Sequence, residues 1–173
     1  NYAWTITFIS LKSRWLILPG NVHLWLFLTL ASPLSRAFGA DASESGVSKT
    51  VAVVRGEMSV SIGRGIAYRV DADNIWDAED ILELEGGWQV SDAETPNFGV
   101  DASAYWFQRT ISGLDPDSSY LSEIAYPALD DINLYFVRGE VVIGHYETGD
   151  RQVFSSRLLA HRNFHFPIPD EAK

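Results

Sequence analysis

Short segments in which apolar and polar residues alternate recur along the chain after about residue 50. Residues 59–62, 131–137 and the end of 161–166 show this alternation, residues 104–111 predict a strong strand, and residues 50–54 form a β-branched apolar run. Alternation with a period of two is typical of a half-buried β-strand. Turn-forming residues interrupt the pattern about every 8–12 positions, as in β-sandwiches. The pattern therefore predicts an all-β fold, a jelly-roll-like β-sandwich.

Two turns indicate which strands are neighbours along the chain. The turn at residues 115–118 has a proline in its second position, and the turn at residues 138–140 contains a glycine. We expect each turn to join its flanking strands into an antiparallel hairpin. Residues 77–84 are the one helix candidate, because Asp77 can cap the first turn and Asp80 follows three positions later as a weak capping box.

The first 50 residues differ from the rest of the chain. In residues 1–40, Lys12 and Arg14 precede an apolar stretch, and small residues follow around Ala40. This order predicts a cleaved secretory signal peptide with upstream leader sequence, followed by a polar linker at residues 41–50. The alternative is an uncleaved membrane anchor. The apolar stretch is interrupted by polar and turn-forming residues, however, and a spanning helix needs about 20 apolar residues.

Charge and cysteine content exclude several classes of function. The net charge is −10, and residues 1–40 contain basic residues but no acidic ones, so the remainder is more acidic still. An acidic body argues against nucleic acid and anionic lipid as partners, because both require cationic groups. The absence of cysteine rules out disulfides, thiolate catalysis and cysteine-based zinc sites.

The sequence contains no catalytic motif, and we expect no catalytic residue, no cofactor and no metal ligand. No serine lies in a nucleophile-elbow pattern. Asp130 and Asp131 are adjacent, and neighbours in an extended chain point to opposite faces, so they do not form a glycosidase pair. His161 and His165 would lie about 13 Å apart on a strand, which is too far for one metal ion. A calcium site built from aspartates and carbonyls stays open, since no ligand spacing identifies one.

Five side chains are candidates for ligand binding. Arg157, His161 and Asn163 are donors close together in sequence, Asp150 precedes them, and Trp106 offers an aromatic face. An arginine fork suits a carboxylate or sugar hydroxyls, and an aromatic ring suits the face of a sugar. The alternative is structural: Asp150 and Arg157 hold the long loop in place, and Trp106 is a core residue.

The second half of the chain resembles a known family of sensor domains. It is similar to the second type of extracellular domain of bacterial seven-transmembrane receptors with diverse intracellular signalling modules, over about residues 51–173. The order and spacing of the matching residues carry the resemblance. They are Gly87-Trp88, Asn97-Phe98-Gly99, Tyr105-Trp106-Phe107, Tyr126-Pro127-Ala128-Leu129-Asp130, Leu134-Tyr135, Gly149-Asp150-Arg151, Phe154, Arg157 and His161-Arg162-Asn163-Phe164.

The resemblance implies a periplasmic jelly-roll domain, similar to carbohydrate-binding modules, in an inner-membrane receptor. Seven membrane helices and an output module, commonly a diguanylate cyclase or a histidine kinase, would follow it. The chain itself would then be a sensor and not an enzyme. The family pattern also continues past residue 173, so we expect the sandwich at residues 51–173 to be incomplete at its C-terminus.

The expected partners are a small molecule, such as a carbohydrate or a carboxylate, or a periplasmic protein, together with the receptor's own membrane region. Two alternatives from other classes stay open at this point. One is a secreted carbohydrate-binding module attached to a glycoside hydrolase, and the other is a structural domain that forms a homodimer. A catalytic domain downstream would favour the carbohydrate-binding module. A concave face poor in polar groups would favour the structural domain.

Overall fold

The structure is a computed structural model that describes residues 4–12, 26–31, 50–52, 59–98 and 102–173. Eleven strands, one α-helix and two single-turn 3₁₀ helices form its regular elements. The strands are β1 (Trp4–Lys12), β2 (Leu26–Ala31), β3 (Thr50–Ala52), β4 (Ser59–Ser61), β5 (Ala67–Asp71), β6 (Gln89–Val90), β7 (Ala104–Ser112), β8 (Ser119–Ile124), β9 (Asp131–Arg138), β10 (Val141–Thr148) and β11 (Phe164–Pro167). The helix α1 is Ala78–Glu83, and the 3₁₀ turns are Phe154–Ser156 and Asp170–Ala172.

The strands form two sheets. The seven-stranded sheet has the order β10-β9-β1-β7-β5-β6, and β3 pairs in parallel with β7. The four-stranded sheet has the order β11-β8-β2-β4, and its pairings are antiparallel. This arrangement confirms the prediction of an all-β sandwich with little helix. Jelly-roll connectivity and likeness to a carbohydrate-binding module stay predictions.

The main core lies between the two sheets and follows from the alternation in the sequence. Phe107 of β7 and Leu134 and Phe136 of β9 belong to the same buried cluster as Phe164 and Phe166 of β11. Each of these side chains is at most 2% exposed. Full burial of one large apolar side chain stabilises the fold by about 1.5–3 kcal/mol. The two sheets are therefore held together mainly by side chains at alternate positions.

A second, smaller core covers the outer face of the seven-stranded sheet. Trp106 of β7 and Val137 of β9 point to this face and pack with Ile81 of α1. Because neighbouring residues of a strand point to opposite faces, β7 and β9 contribute to both cores. These two strands are therefore buried on both sides and organise the fold.

The helix begins where the sequence predicted. Asp77 accepts a hydrogen bond from the backbone N–H of Asp80 at 3.0 Å, and the carboxylate of Asp80 accepts one from the backbone N–H of Asp77, also at 3.0 Å. These two bonds confirm the capping box. After the helix, Gly86 and Gly87 adopt positive φ angles of 76° and 70°, a conformation that favours glycine. Among the described residues, no helix is long and apolar enough to span a membrane.

One of the two predicted hairpins is correct. β9 and β10 pair as expected across the turn at residues 138–140. The other hairpin is wrong, because β7 lies in the seven-stranded sheet and β8 pairs with β11 and β2 in the other sheet. The connection between β7 and β8 crosses the edge of the core, where Leu114 is buried. Tyr120 stabilises this crossing, since its hydroxyl bonds to the backbone N–H of Asp115 at 2.7 Å.

Two strands lie within the predicted leader. The backbone of β1 pairs with both β7 and β9, and that of β2 pairs with β8 and β4. The sequence interpretation placed no strand there, because an apolar run of this kind is compatible with a signal peptide as well as with a buried strand. Cleavage after the leader stays a prediction. A domain without β1 would need another strand to join β7 to β9.

We expect removal of residues 1–40 to destabilise the isolated domain. Without β1, the facing edges of β7 and β9 keep unpaired backbone N–H and C=O groups, which favour pairing with other chains. The shortened chain should have a lower Tm than the full chain and should self-associate as its concentration rises. Differential scanning calorimetry and sedimentation velocity measure the two effects, and a monomer with an unchanged Tm would contradict the expectation.

Candidate ligand cleft

The loop of residues 149–163 joins β10 to β11 and is fixed at its start to the segment that precedes β9. The backbone N–H of Asp150 donates to the carbonyl of Leu129 at 2.7 Å. Arg151 Nε lies 3.6 Å from Asp130 Oδ1. Two of the sequence motifs that carry the family resemblance therefore contact each other, although they are distant in sequence.

Arg157 holds the end of the same loop. Its guanidinium lies 4.2 Å from the ring centroid of Phe164 and 5.2 Å from that of Phe154, within cation–π range of both. Its Nη1 donates to the carbonyl of His161 at 3.1 Å and also to the carbonyl of Arg162. These contacts connect the 3₁₀ turn, the end of the loop and β11 through one side chain.

Asp150 contributes less than Arg157 to this arrangement. Its Oδ1 lies 3.8 Å from Arg157 Nη2, and its side chain is 61% exposed. Although the side chain of Arg157 is only 9% exposed, water and salt screen the pair from the side of Asp150, so at this distance it adds little stability. The geometry therefore favours the structural interpretation of Arg157, which holds the loop through its rings and carbonyls.

A cleft opens beside this loop, along the side of the sandwich where β10 of one sheet faces β11 of the other. Its cavity volume is about 90 Å³. It is lined by aromatic side chains together with a few polar and charged ones, a mixture typical of small-molecule sites. The lining residues are Tyr146, Glu147, Thr148, Ser156, Arg157, Leu158, Phe164, His165 and Phe166.

Two hydroxyl groups in the cleft have different environments. Tyr146 donates its hydroxyl to the carbonyl of Pro167 at 3.1 Å, and burial raises the pKa of its phenol, which keeps it a neutral donor. Thr148 is 5% exposed, and within the described part of the chain its hydroxyl oxygen has no hydrogen-bond partner. A buried hydroxyl without a partner costs about 1–3 kcal/mol. Because this oxygen is itself shielded from solvent, a polar ligand in the cleft would supply the missing bond only after a shift of the cleft wall.

The structure corrects the predicted distance between His161 and His165. Their ring centroids lie 4.7 Å apart, not the 13 Å that an extended chain implies. β11 begins only at Phe164, and the preceding residues bend back, as the 2.8 Å bond from His161 N to Leu159 O shows. The argument that distance excludes a shared ion is therefore wrong.

Four of the five candidate residues lie in one region, and Trp106 does not. Asp150, Arg157, His161 and Asn163 all belong to the 149–163 loop. Trp106 is 2% exposed in the second core, on the opposite face of the seven-stranded sheet from the main core. It cannot face a ligand in the cleft without unfolding that core, which agrees with the structural alternative.

The sequence interpretation missed three residues of this region. Tyr146 and Thr148 line the cleft from β10, and Glu123 of β8 lies opposite His165 of β11. Glu123 accepts a 2.6 Å hydrogen bond from Asn163 Nδ2. The sequence analysis paired β8 with β7. It therefore did not place the outward-facing residues of β8 opposite those of β11.

We expect Gly149→Ala to destabilise the loop strongly. Gly149 has a φ angle of 159°, and a Cβ atom there would lie 1.9 Å from the carbonyl oxygen of Asp130. Relieving such a clash typically costs about 1–3 kcal/mol. Gly139→Ala is the matched control, because Gly139 also has a positive φ but a Cβ there meets nothing within 4 Å. Urea unfolding should show a larger loss for Gly149→Ala, and equal losses would contradict the packing argument.

Comparison with known proteins supports the resemblance seen in the sequence. The model of the family described as 7TMR-DISM extracellular 2 matches residues 63–173, which is more than half of the chain. No curated protein and no solved structure matches the chain. The matched range includes β5 to β11, the 149–163 loop and every residue that lines the cleft. The chain therefore belongs to the 7TMR-DISM extracellular 2 family.

Proposed function

We propose that this domain senses a small polar ligand in the cleft between β10 and β11. As a member of a family of extracellular receptor domains, the chain is a periplasmic sensor domain of a membrane receptor and not an enzyme. Ligand binding, the ligand class and the output module go beyond family membership. A carbohydrate or a carboxylate is the ligand class that we favour, and a diguanylate cyclase or a histidine kinase is the output that we expect.

The unpartnered hydroxyl of Thr148 carries the ligand proposal. Thr148 lines the same cleft as the aromatic residues Tyr146, Phe164 and Phe166 and the charged residues Glu147 and Arg157. Aromatic faces suit the apolar face of a sugar ring, and donors and acceptors beside them suit its hydroxyls. A carboxylate would instead compete with Asp150 for Nη2 of Arg157, which lies 3.8 Å from Asp150 Oδ1.

Signalling also requires that the ligand distinguish two states of the receptor. A ligand that binds both states equally shifts no equilibrium, however tightly it binds. The 149–163 loop is a suitable reporter, because Ser156, Arg157 and Leu158 line the cleft, while Asp150 and Arg151 contact the segment before β9. Closing the loop on a ligand would favour one arrangement of these contacts. The membrane region would respond to that arrangement.

We expect the full chain to be stabilised by its ligand in a thermal-shift screen of sugars and small carboxylates. A ligand present at 100 times its Kd adds about 2.7 kcal/mol to the free energy of unfolding. Thr148→Val keeps the shape of the side chain and removes the hydroxyl, so it should preserve or raise the Tm of the free protein but weaken the ligand shift. Thr110→Val on β7, outside the cleft, is the matched control and should keep the full shift.

Arg157→Ala is a less informative variant, because it also removes contacts that hold the loop. An unchanged shift in Thr148→Val would exclude the hydroxyl as a ligand contact. The absence of a shift from every compound, with a folded protein, would count against a small-molecule site of this class and in favour of a protein partner.

A protein partner or a second copy of the chain is the second candidate. Four large apolar side chains of the 149–163 loop are exposed: Val153 by 73%, Phe154 by 57%, Leu158 by 53% and Leu159 by 44%. Scattered exposed apolar residues are common, but a cluster on one loop is typical of an interaction surface. The alternative of a module from a secreted glycoside hydrolase has no comparable support, since the family is one of receptor domains.

We expect Leu159→Ser to weaken any self-association of the full chain without lowering its Tm, because the side chain is exposed. Sedimentation equilibrium measures the self-association constant of the natural chain and that of the Leu159→Ser variant. Val141→Ser is a suitable control, because Val141 is an exposed apolar residue at the start of β10. Equal effects of both substitutions would contradict a specific role for the loop.

A further inference from the structure

Glu123, His161 and His165 meet on the outer face of the four-stranded sheet. One potential ligand atom from each residue lies within 4.8 Å of those of the other two. Glu123 and His165 are cross-strand partners in β8 and β11, and Glu123 Oε1 lies 3.7 Å from His165 Nε2. His161 reaches the same point from the 149–163 loop. Sheet and loop thus present three groups that can bind a metal ion.

This ligand set matches a known type of metal site. Two imidazoles and one carboxylate bind zinc in open tetrahedral sites, with metal–ligand bonds of about 2.0–2.1 Å. Such bonds place the ligand atoms about 3.3 Å from each other. The separation of 3.7 Å between Glu123 and His165 is close to this value, and the side chain of His161 is exposed enough to move inward.

Two buried polar atoms beside these residues have no hydrogen-bond partner among the described residues. They are His165 Nδ1 and Asn163 Oδ1. The 3.7 Å between His165 Nε2 and Glu123 Oε1 is also too long for a hydrogen bond, so His165 is not satisfied by the carboxylate. An ion at this point would bind His165 Nε2, the ring nitrogen that faces Glu123, and not Nδ1, while water bound to the ion would be placed to donate to Asn163 Oδ1.

Asn163 orients one of the three ligands, Glu123, and holds a second, His161, through a bond that must break when an ion binds. Its Nδ2 donates to Glu123 Oε1 at 2.6 Å, and its backbone N–H donates to His161 Nδ1 at 3.1 Å. Partners of this kind fix the direction of ligand side chains around metal ions. An ion on either ring nitrogen of His161 displaces the bond from the backbone of Asn163. At Nδ1 the ion takes the lone pair that accepts this bond, and at Nε2 it requires the tautomer with the proton on Nδ1.

We propose that Glu123, His161 and His165 bind a divalent transition-metal ion of the zinc class, with one coordination position open. Imidazole and carboxylate together suit zinc, nickel and copper better than calcium or magnesium. The ion links the 149–163 loop to the four-stranded sheet, and His165 also lines the cleft. The proposal rests on this geometry alone and does not depend on the small-molecule ligand.

Titration of the metal-free full chain with zinc chloride tests the proposal by isothermal titration calorimetry. The expected result is binding of one ion per chain and a rise in Tm with zinc concentration, because only the folded state brings the three groups together. Cobalt chloride should give the intense visible absorption of a tetrahedral Co²⁺ site. Absence of binding at a one-to-one ratio would overturn the proposal.

Substitutions identify the site. His161→Ala and Glu123→Gln should each weaken zinc binding by more than about tenfold, since loss of an outer partner alone typically costs 10–100-fold. His161 is exposed, so its removal leaves the fold intact. His145→Ala is the matched control, because His145 stacks on Tyr135 in the other sheet and should bind zinc as the natural chain does. Undiminished binding in His161→Ala and Glu123→Gln would also overturn the proposal.

Discussion

Burial of β7 and β9 on both of their faces is the constraint on which the rest of the structure depends. Their alternate residues pack either against the four-stranded sheet, as Phe107 and Leu134 do, or against α1, as Trp106 and Val137 do. A one-residue change of register would exchange the two sets. β10 pairs with the outer edge of β9, so the position of β9 also fixes that of β10. The cleft lies where β10 comes close to β11, the edge strand of the other sheet.

The sequence predicted which strands and helix form better than it predicted which strands pair with each other. The alternation and the capping box identified the strands after residue 100 and the helix, because both signals depend on residues close together in sequence. The neighbours of β8 depend on a core contact, the burial of Leu114, which carries no local signature. β1 was missed for a different reason: it ends at the first basic residue of the predicted export signal and was assigned to upstream leader, and its pairing with β7 and β9 can be seen only in the folded chain.

The candidate site was predicted in part, and the errors have one origin. The donors Arg157, His161 and Asn163 were found because they are close in sequence. The sequence analysis also gave the alternative that Asp150 and Arg157 hold the loop in place. His161 and His165 were separated on the assumption that the chain runs straight through them, whereas it bends before Phe164. Glu123 was missed because only the antiparallel register of β8 and β11 brings it to His165. Residues that come together through a bend or a register cannot be found from spacing alone.

The position of β1 at the centre of the larger sheet also has a consequence for the rate of folding. Ser10 pairs with Asn133, so β1 must wait for a strand more than 100 residues further along the chain before its second edge is paired. Closing so long a segment costs conformational entropy before the strands gain any stabilising contact. Chains with many contacts between residues distant in sequence therefore fold slowly. During this interval β1 has an unpaired edge available to chaperones or to neighbouring chains. The yield of the folded full chain would then be governed by the lifetime of that open edge as much as by the stability of the finished sandwich.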